Sequence, residues 1–481
     1  MRIAFDIDDT LAKFTARLIP LAQTYDRLYS KSKKGVICKN KQIWHGMFDW
    51  STAEKNHFDS IAIPQAHPVL QPVYTGLQLA KTLKKDGDQI YLISARGFDG
   101  YSKRSVSTNW LKEQELKYDK LIIKQYDKIF MINKNKIDVY IDNSYKKCVS
   151  AEQNCPNTKI YQVSAEQRPF TKYKNYTTYE DLYYEIYNLY NRKTMLERYP
   201  IIIDSDVTNE IDDEFALSYL FSFKNAPVEA ITIAPHFSDN NKNLVIKDNV
   251  ERSYKKAKRL AKLAGREDLV KKIYKGTEAL LGLGAPPDSE GVDKIIEICK
   301  KHEKVTFIAI GVPTNLAVAV TKAPEIADKI KLYSLMGELT PFGLQSETNM
   351  SKDPIATQIV IEKIKDKTIF PASCFAPLYL SAKNLEEELD LQNSELAKLL
   401  YKGFTNTLKA FKISYKSLFD CGVIYYLSNP IPFIESEVAV KFVHSHIALN
   451  KKGKNRAYIV SQMRDSGRIL ADLFKRLRAL K

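Results

Sequence analysis

The chain has 481 residues, 44% hydrophobic and 27% charged, a globular composition with room for two or three cored domains. Its formal charge is +16, but the lysines are spread thinly and the densest runs, 31–34 and 451–454, are short. The surplus therefore reads as a solvated surface, which argues against nucleic acid as the partner. No apolar stretch is long enough to span a bilayer, and the amino terminus turns acidic at Asp6 without a basic and apolar leader. Six scattered cysteines without paired metal spacing read as reduced thiols of a cytoplasmic protein.

Arg2-Ile-Ala-Phe reads as a first strand that delivers Asp6, Asp8 and Thr10 to a turn. A carboxylate at a strand end can attack phosphorus. A second one, two residues further along an extended backbone, can reach the same group and move its protons. Gln89-Ile-Tyr-Leu-Ile ends in Ser94, Lys128 precedes the next strand with Lys124 and Lys134 as rivals, and Ile137-Asp-Val-Tyr-Ile ends in Asp142. These motifs, in this order, resemble the haloacid dehalogenase superfamily and its 5′-nucleotidase-like phosphatases. The resemblance implies Asp6 as nucleophile, Asp8 as acid and then base, and Thr10, Ser94 and Lys128 as phosphate ligands. It also implies Mg2+ held by Asp6, the Asp8 carbonyl and Asp142, with Asn143 in place of a frequent second acid. About eighty residues separate the first two motifs, and the stretch from about 12 to 88 is expected to be a helical cap with Leu18–Tyr29 amphipathic. Trp44 and Phe48 there are candidates for stacking a nucleobase, or else pack the cap core with Trp50. The tyrosine-rich helix Tyr179–Tyr190 reads as packing, and a domain boundary is expected near 195.

Ile201-Ile-Ile reads as a buried strand with Asp204 and Asp206 at its carboxyl end, and Asp212 and Asp213 open the helix that follows. Four carboxylates within ten residues repel one another unless a cation holds them, and hard oxygen ligands select calcium or magnesium. The stretch resembles the calcium signature of the inosine–uridine-type nucleoside hydrolases. That resemblance implies Ca2+ on Asp206, Asp213, the Ile310 carbonyl and Asp420, with Asp206 as the base that activates water. Asp212, Glu347 and Asn349 would hold the ribose. His236 stands where relatives carry an asparagine and could act on the base. Phe419 stands where a histidine often protonates the leaving base, so the donor of that proton is left open.

The expected architecture is α/β in two domains, 1–195 and 196–481. Each is a mostly parallel Rossmann-like sheet flanked by helices, the first with the cap. The implied function is bifunctional nucleotide breakdown: dephosphorylation of a nucleoside 5′-monophosphate, then hydrolysis to ribose and free base. Partners would be small-molecule nucleotides and nucleosides, and a homo-oligomer through the second domain stays open. The alternatives are that one half only binds or regulates, or that the basic surface binds nucleic acid with a steep salt dependence.

Overall fold

The computed structural model describes residues 1–39, 41, 43–97, 100–163, 175, 177–237, 246–283 and 288–480. Residues Met1–Tyr190 and Asn191–Lys481 form two compact units. Among the described residues no helix is long and apolar enough to cross a membrane.

The first unit is built on five strands, β1 (Arg2–Phe5), β2 (Gln89–Ile93), β3 (Lys120–Ile122), β4 (Val139–Asp142) and β5 (Lys159–Gln162). They are all parallel, in the order β3-β2-β1-β4-β5. Ile3, Ala4 and Phe5 are fully buried, as expected for a central parallel strand covered on both faces. The strand order reverses beside β1. The ends of β1 and β4, and the turn after β2, therefore open on one crevice. Between β1 and β2 lie the helices Phe14–Tyr29 and Thr52–Ala66, the second started by a capping box of Ser51 and Glu54. The helix Tyr179–Leu189 buries Tyr179, Tyr183 and Tyr187, so its tyrosines pack rather than recognise.

The second unit continues the numbering with β6 (Ile201–Ser205), β7 (Val228–Ile233), β8 (Ile273–Lys275), β9 (Val305–Ala309), β10 (Ile330–Leu335), β11 (Glu338–Thr340), β12 (Gly343–Gln345), β13 (Asp366–Phe370), β14 (Tyr379–Ser381), β15 (Tyr415–Ser417), β16 (Phe433–Val443), β17 (His446–Asn450) and β18 (Arg456–Met463). The main sheet runs β11-β12-β17-β16-β18-β13-β10-β9-β6-β7-β8, and β14 pairs with β15 separately. From β8 to β18 the pairing is parallel, and from β18 to β11 it is antiparallel. Ile201 and Ile203 feed one apolar core and Ile202 the other. Alternate side chains leave opposite faces of a strand, so three consecutive isoleucines are all buried because helices cover both faces.

One core lysine sets a pH-dependent cost. Lys367 on β13 is 1% exposed, and its ammonium donates to the Ile364 carbonyl at 2.6 Å and to Asn455 Oδ1 at 2.5 Å. Burial lowers its pKa from the ordinary value to about 8. Between pH 8 and the ordinary lysine range the unfolded chain binds the extra proton, so this residue adds stability as pH rises through that window. Lys367→Met should remove the contribution. The urea midpoint of the wild type relative to the variant should climb between pH 8 and 10, whereas a pH-independent difference would refute the assignment.

Candidate functional site

In the first unit the crevice gathers Asp6, Asp142 and Lys128. The Lys128 ammonium lies 2.7 Å from Asp6 Oδ1 and 2.7 Å from Asp142 Oδ2. Both carboxylates therefore face one point. Burial pushes the Lys128 pKa down, but the two carboxylates outweigh it and hold the lysine charged. Burial raises Asp6, as does its neighbour Asp142. Asp142 is fixed further by the Ser144 backbone N–H at 2.8 Å and the Tyr140 hydroxyl. Of the rival lysines only Lys128 forms these pairs.

Asp8 is clamped by Arg96, whose Nη2 and Nε lie 2.7 and 3.0 Å from Oδ1, and His67 Nε2 stands 3.8 Å from its Oδ2. Burial alone would raise Asp8, but the guanidinium and then His67 hold it below the usual carboxylate range. As described, Asp8 is the proton-accepting form, whereas the sequence reading also made it the first donor. Arg96 was visible beside Ser94 but carried no assigned role, because sequence spacing does not reveal which acid a buried guanidinium meets.

Two expected ligands, Thr10 and Phe48, are held by neighbouring protein groups, while Ser94 keeps a hydroxyl proton to give. Thr10 is fully buried, accepts the Asn143 N–H at 3.1 Å and donates to Asn143 Oδ1 at 3.4 Å, so it ties two loops instead of facing a phosphate. Ser94 is buried and accepts the Arg96 N–H at 3.3 Å, which leaves its own proton to donate. Phe48 stacks on Trp50 at 4.5 Å, and Trp50 donates to Asp26 at 2.7 Å inside the cap. Base stacking by Phe48 is therefore corrected to core packing, because a flat apolar ring next to a buried tryptophan is stabilised there. Trp44 is only half-buried. It stacks on Phe14, which stacks on His67 beside Asp8, so an aromatic file runs from the cap to the acids.

In the second unit β6 delivers Asp204 and Asp206, and the helix Asp212–Ser222 begins with Asp212 and Asp213. Asp204 is fully buried and accepts from Thr232 at 2.5 Å and Asn315 at 2.8 Å, which pins the loop root. Gly311, after β9, lies so close that a Cβ would come within 3.0 Å of the Asp206 nitrogen. Only glycine lets that turn approach the acid loop. The helix Phe419–Ser428 brings Asp420 in its own first turn.

Carboxylate oxygens of Asp212, Asp213 and Asp420 all lie within 4.8 Å of one another. Asp206 hydrogen-bonds Asp213, which also accepts from Ser205 Oγ at 2.5 Å. Asp212, expected as a sugar ligand, lies in the acid cluster beside Asp213 and Asp420. The positive ends of two helices converge here, which favours negative charge, yet burial opposes it. Burial raises Asp206 to about 7 and Asp212 to about 6, and it lifts Asp213 and Asp420 well above the ordinary carboxylate value, with mutual repulsion adding to it. One oxygen each of Asp206 and Asp420 has no hydrogen-bond partner among the described residues, and Asp212 Oδ1 meets the Lys416 ammonium at 3.5 Å. A set of hard, crowded, partly unpartnered oxygens suits a divalent cation.

Other expectations resolve differently. The Ile310 carbonyl accepts from Asn349 Nδ2 at 3.1 Å. Glu347 caps its own short helix, accepting the Asn349 and Met350 N–H groups at 2.7 and 2.9 Å. Helix-start N–H groups need an acceptor and Glu347 supplies it, so without a ligand Glu347 and Asn349 are held by these local bonds. His236 is buried, and burial lowers its pKa to about 4, so it is neutral at physiological pH. One further residue escaped the sequence reading. Lys416 on β15 is buried, lies 2.6 Å from Glu210 and 3.5 Å from Asp212, and sits over the Phe419 ring at 4.6 Å. A lysine between two polar strand residues carries no signal that it points inward.

An uncharacterised protein of Schizosaccharomyces pombe is 32% identical over 133 residues, covering 24% of this chain and 42% of its own. A probable ribonucleoside hydrolase of Dictyostelium discoideum is 28% identical over 135 residues, covering 27% of this chain and 39% of its own. The chain thus spans about half or less of the length of the curated relatives it matches. Among solved structures, a purine-preferring ribonucleoside hydrolase from Gardnerella vaginalis aligns at 23% identity with a TM-score of 0.48, covering 58% of this chain and 98% of that one. The model of the inosine-uridine preferring nucleoside hydrolases matches residues 201–469, more than half the chain, and begins at the strand that carries Asp204 and Asp206. By that match the chain belongs to the inosine-uridine preferring nucleoside hydrolase family.

Proposed function

We propose that the second unit hydrolyses the N-glycosidic bond of ribonucleosides at the acids of β6 and the two helix starts. The reading rests chiefly on the crowding of Asp212, Asp213 and Asp420 and on the buried oxygens of Asp206 and Asp420 that lack partners. Calcium held by Asp206, Asp213 and Asp420 would bind the sugar diol and make a water more acidic. Asp206 takes the proton from that water, and Asp212 accepts a sugar hydroxyl. The surrounding carboxylates favour the positive charge that grows on the sugar as the bond stretches. Lys416, over Phe419, offers a cation to the negative charge growing on the departing base.

The first unit acts on the phosphate of a nucleoside 5′-monophosphate. Supporting this are the two carboxylates, Asp6 and Asp142, that face one point across Lys128. Magnesium on Asp6, Asp142 and the Asp8 carbonyl would quench repulsion between the phosphate and the attacking acid. Asp6 attacks phosphorus and breaks its bond to the 5′ oxygen, which leaves with a proton from Asp8 in its protonated form. Ser94 and Lys128 hold the phosphoryl oxygens, and Asp8 then deprotonates the water that splits the aspartyl phosphate. The domain limits proposed for the two activities are 1–195 and 196–481.

The test is incubation of the full chain with nucleoside monophosphates in magnesium and calcium. Free base and phosphate should both appear. Asp6→Asn should stop the reaction at the nucleotide, and Asp206→Asn at the nucleoside. Free base released from the nucleotide by the Asp6→Asn protein would refute the sequential order, and base release by Asp206→Asn at the wild-type rate would refute the second site.

A further inference from the structure

A second feature of the second unit serves neither proposed reaction. The helix Ile246–Leu263 carries Arg252, Lys255, Lys256 and Arg259. The spacing i, i+3, i+4, i+7 puts all four on one face. That face lines a cleft of about 470 Å³, whose other walls include Thr208 and Asn209 from the acid loop and Thr407 from the helix Glu395–Phe411. The volume is that of a small-molecule site.

The charge in the cleft is unbalanced. Glu214 pairs with Lys256 at 2.9 Å. Glu210, the other acid of the lining, is drawn to Lys416 at 2.6 Å. Lys255 reaches Glu251 at 3.1 Å, but Glu251 is shared with Lys275 at 2.5 Å. Arg252 and Arg259 are exposed and form no ion pair among the described residues. With a rise of 1.5 Å per residue, the outermost cations are separated by about 10 Å along the helix. A single phosphate would meet only one end of that row. Two linked phosphates, flanked by arginine forks and by the threonine hydroxyls opposite, match both its length and its sign.

We propose that this cleft binds a compound carrying two or more linked phosphates, of the pyrophosphate or nucleoside diphosphate class. Its floor is fastened to the acid loop. Ser253, on the same helix, bonds the Thr208 hydroxyl at 2.7 Å and donates to the Asp206 carbonyl at 3.3 Å. Ligand in the cleft therefore bears on the loop that carries Asp206.

The experiment is calorimetric titration of the full chain with pyrophosphate, and separately with a nucleoside diphosphate, at physiological salt with a chelator to remove divalent metals. The wild type should bind both. The double variant Arg252→Ala/Arg259→Ala, which alters exposed side chains and should melt as the wild type does, should lose about tenfold or more in affinity. Tighter binding of the nucleoside diphosphate than of pyrophosphate would add a base contact to the same site. No binding of either probe by the wild type up to about 1 mM overturns the proposal, as does unchanged affinity in the double variant. Tighter binding of a single-stranded oligonucleotide, lost in the double variant, would overturn the small-molecule class.

Discussion

Asp420→Asn should abolish nucleoside hydrolysis while making the metal-free protein more stable. The two effects have one cause. In the absence of a cation, burial and the neighbouring Asp212, Asp213 and Asp206 all oppose ionisation of Asp420. An amide is neutral without taking up a proton, so the variant escapes the cost of holding Asp420 protonated among these acids, and a gain of about 1–3 kcal/mol is expected for the chelated protein. The same change removes a metal ligand, so kcat/KM should fall by about a thousandfold or more. Calcium should raise the melting temperature of the wild type in proportion to its occupancy and leave that of the variant nearly unmoved. pH gives a second reading. Asp204 and Asp206 have folded values raised to about 7, so between about pH 4 and pH 7 the folded state binds more protons than the unfolded one. Stability of the chelated wild type should therefore fall as pH rises through that window, and calcium should flatten the slope. A variant no more stable than the wild type in chelator, with its calcium response intact, would remove the acids from the site.

Lys416→Met should slow hydrolysis of natural nucleosides by about a hundredfold or more, with a loss below about tenfold for a 4-nitrophenyl riboside. The activated leaving group departs as a stable anion without help, whereas a nucleobase needs its growing charge met. Lys416 is charged for that task, since burial alone would discharge it but Asp212 and Glu210 keep it charged. Its place over Phe419 also fits a flat base lying against an aromatic ring. Equal losses on both substrates would mean that Lys416 only balances the acids. Calcium affinity, measured in parallel, separates a weakened metal site from a lost contact to the base.

Much of the two sites was legible because strand and acid are adjacent in the chain. Asp6 follows β1, Asp142 ends β4, and Asp204 and Asp206 close β6, so local pattern alone placed each at the carboxyl end of a parallel strand. The antiparallel end of the large sheet was harder to read. Strands β16 to β18 lie late in the chain yet pair with β13 and β12, and alternation in a strand does not name its partner. Glu347 shows another limit. The Glu-x-Asn spacing suits two sugar hydroxyls, and only the backbone direction after Glu347 reveals that its carboxylate also caps the helix Thr348–Lys352.

What the sequence determined by itself was the inventory of like charges at strand ends, because repulsion within a short stretch has few remedies and a cation is the simplest. Tertiary structure decided which positive groups meet those charges. Lys128 bridges acids 122 and 14 positions earlier and later along the chain only because β1 and β4 are neighbours. Arg96 reaches Asp8, and Lys416 reaches Asp212, from distant stretches of the chain. A carboxylate's position along a strand is a local property, but its field is set by whatever the fold carries to within a few ångströms, and that is decided by packing.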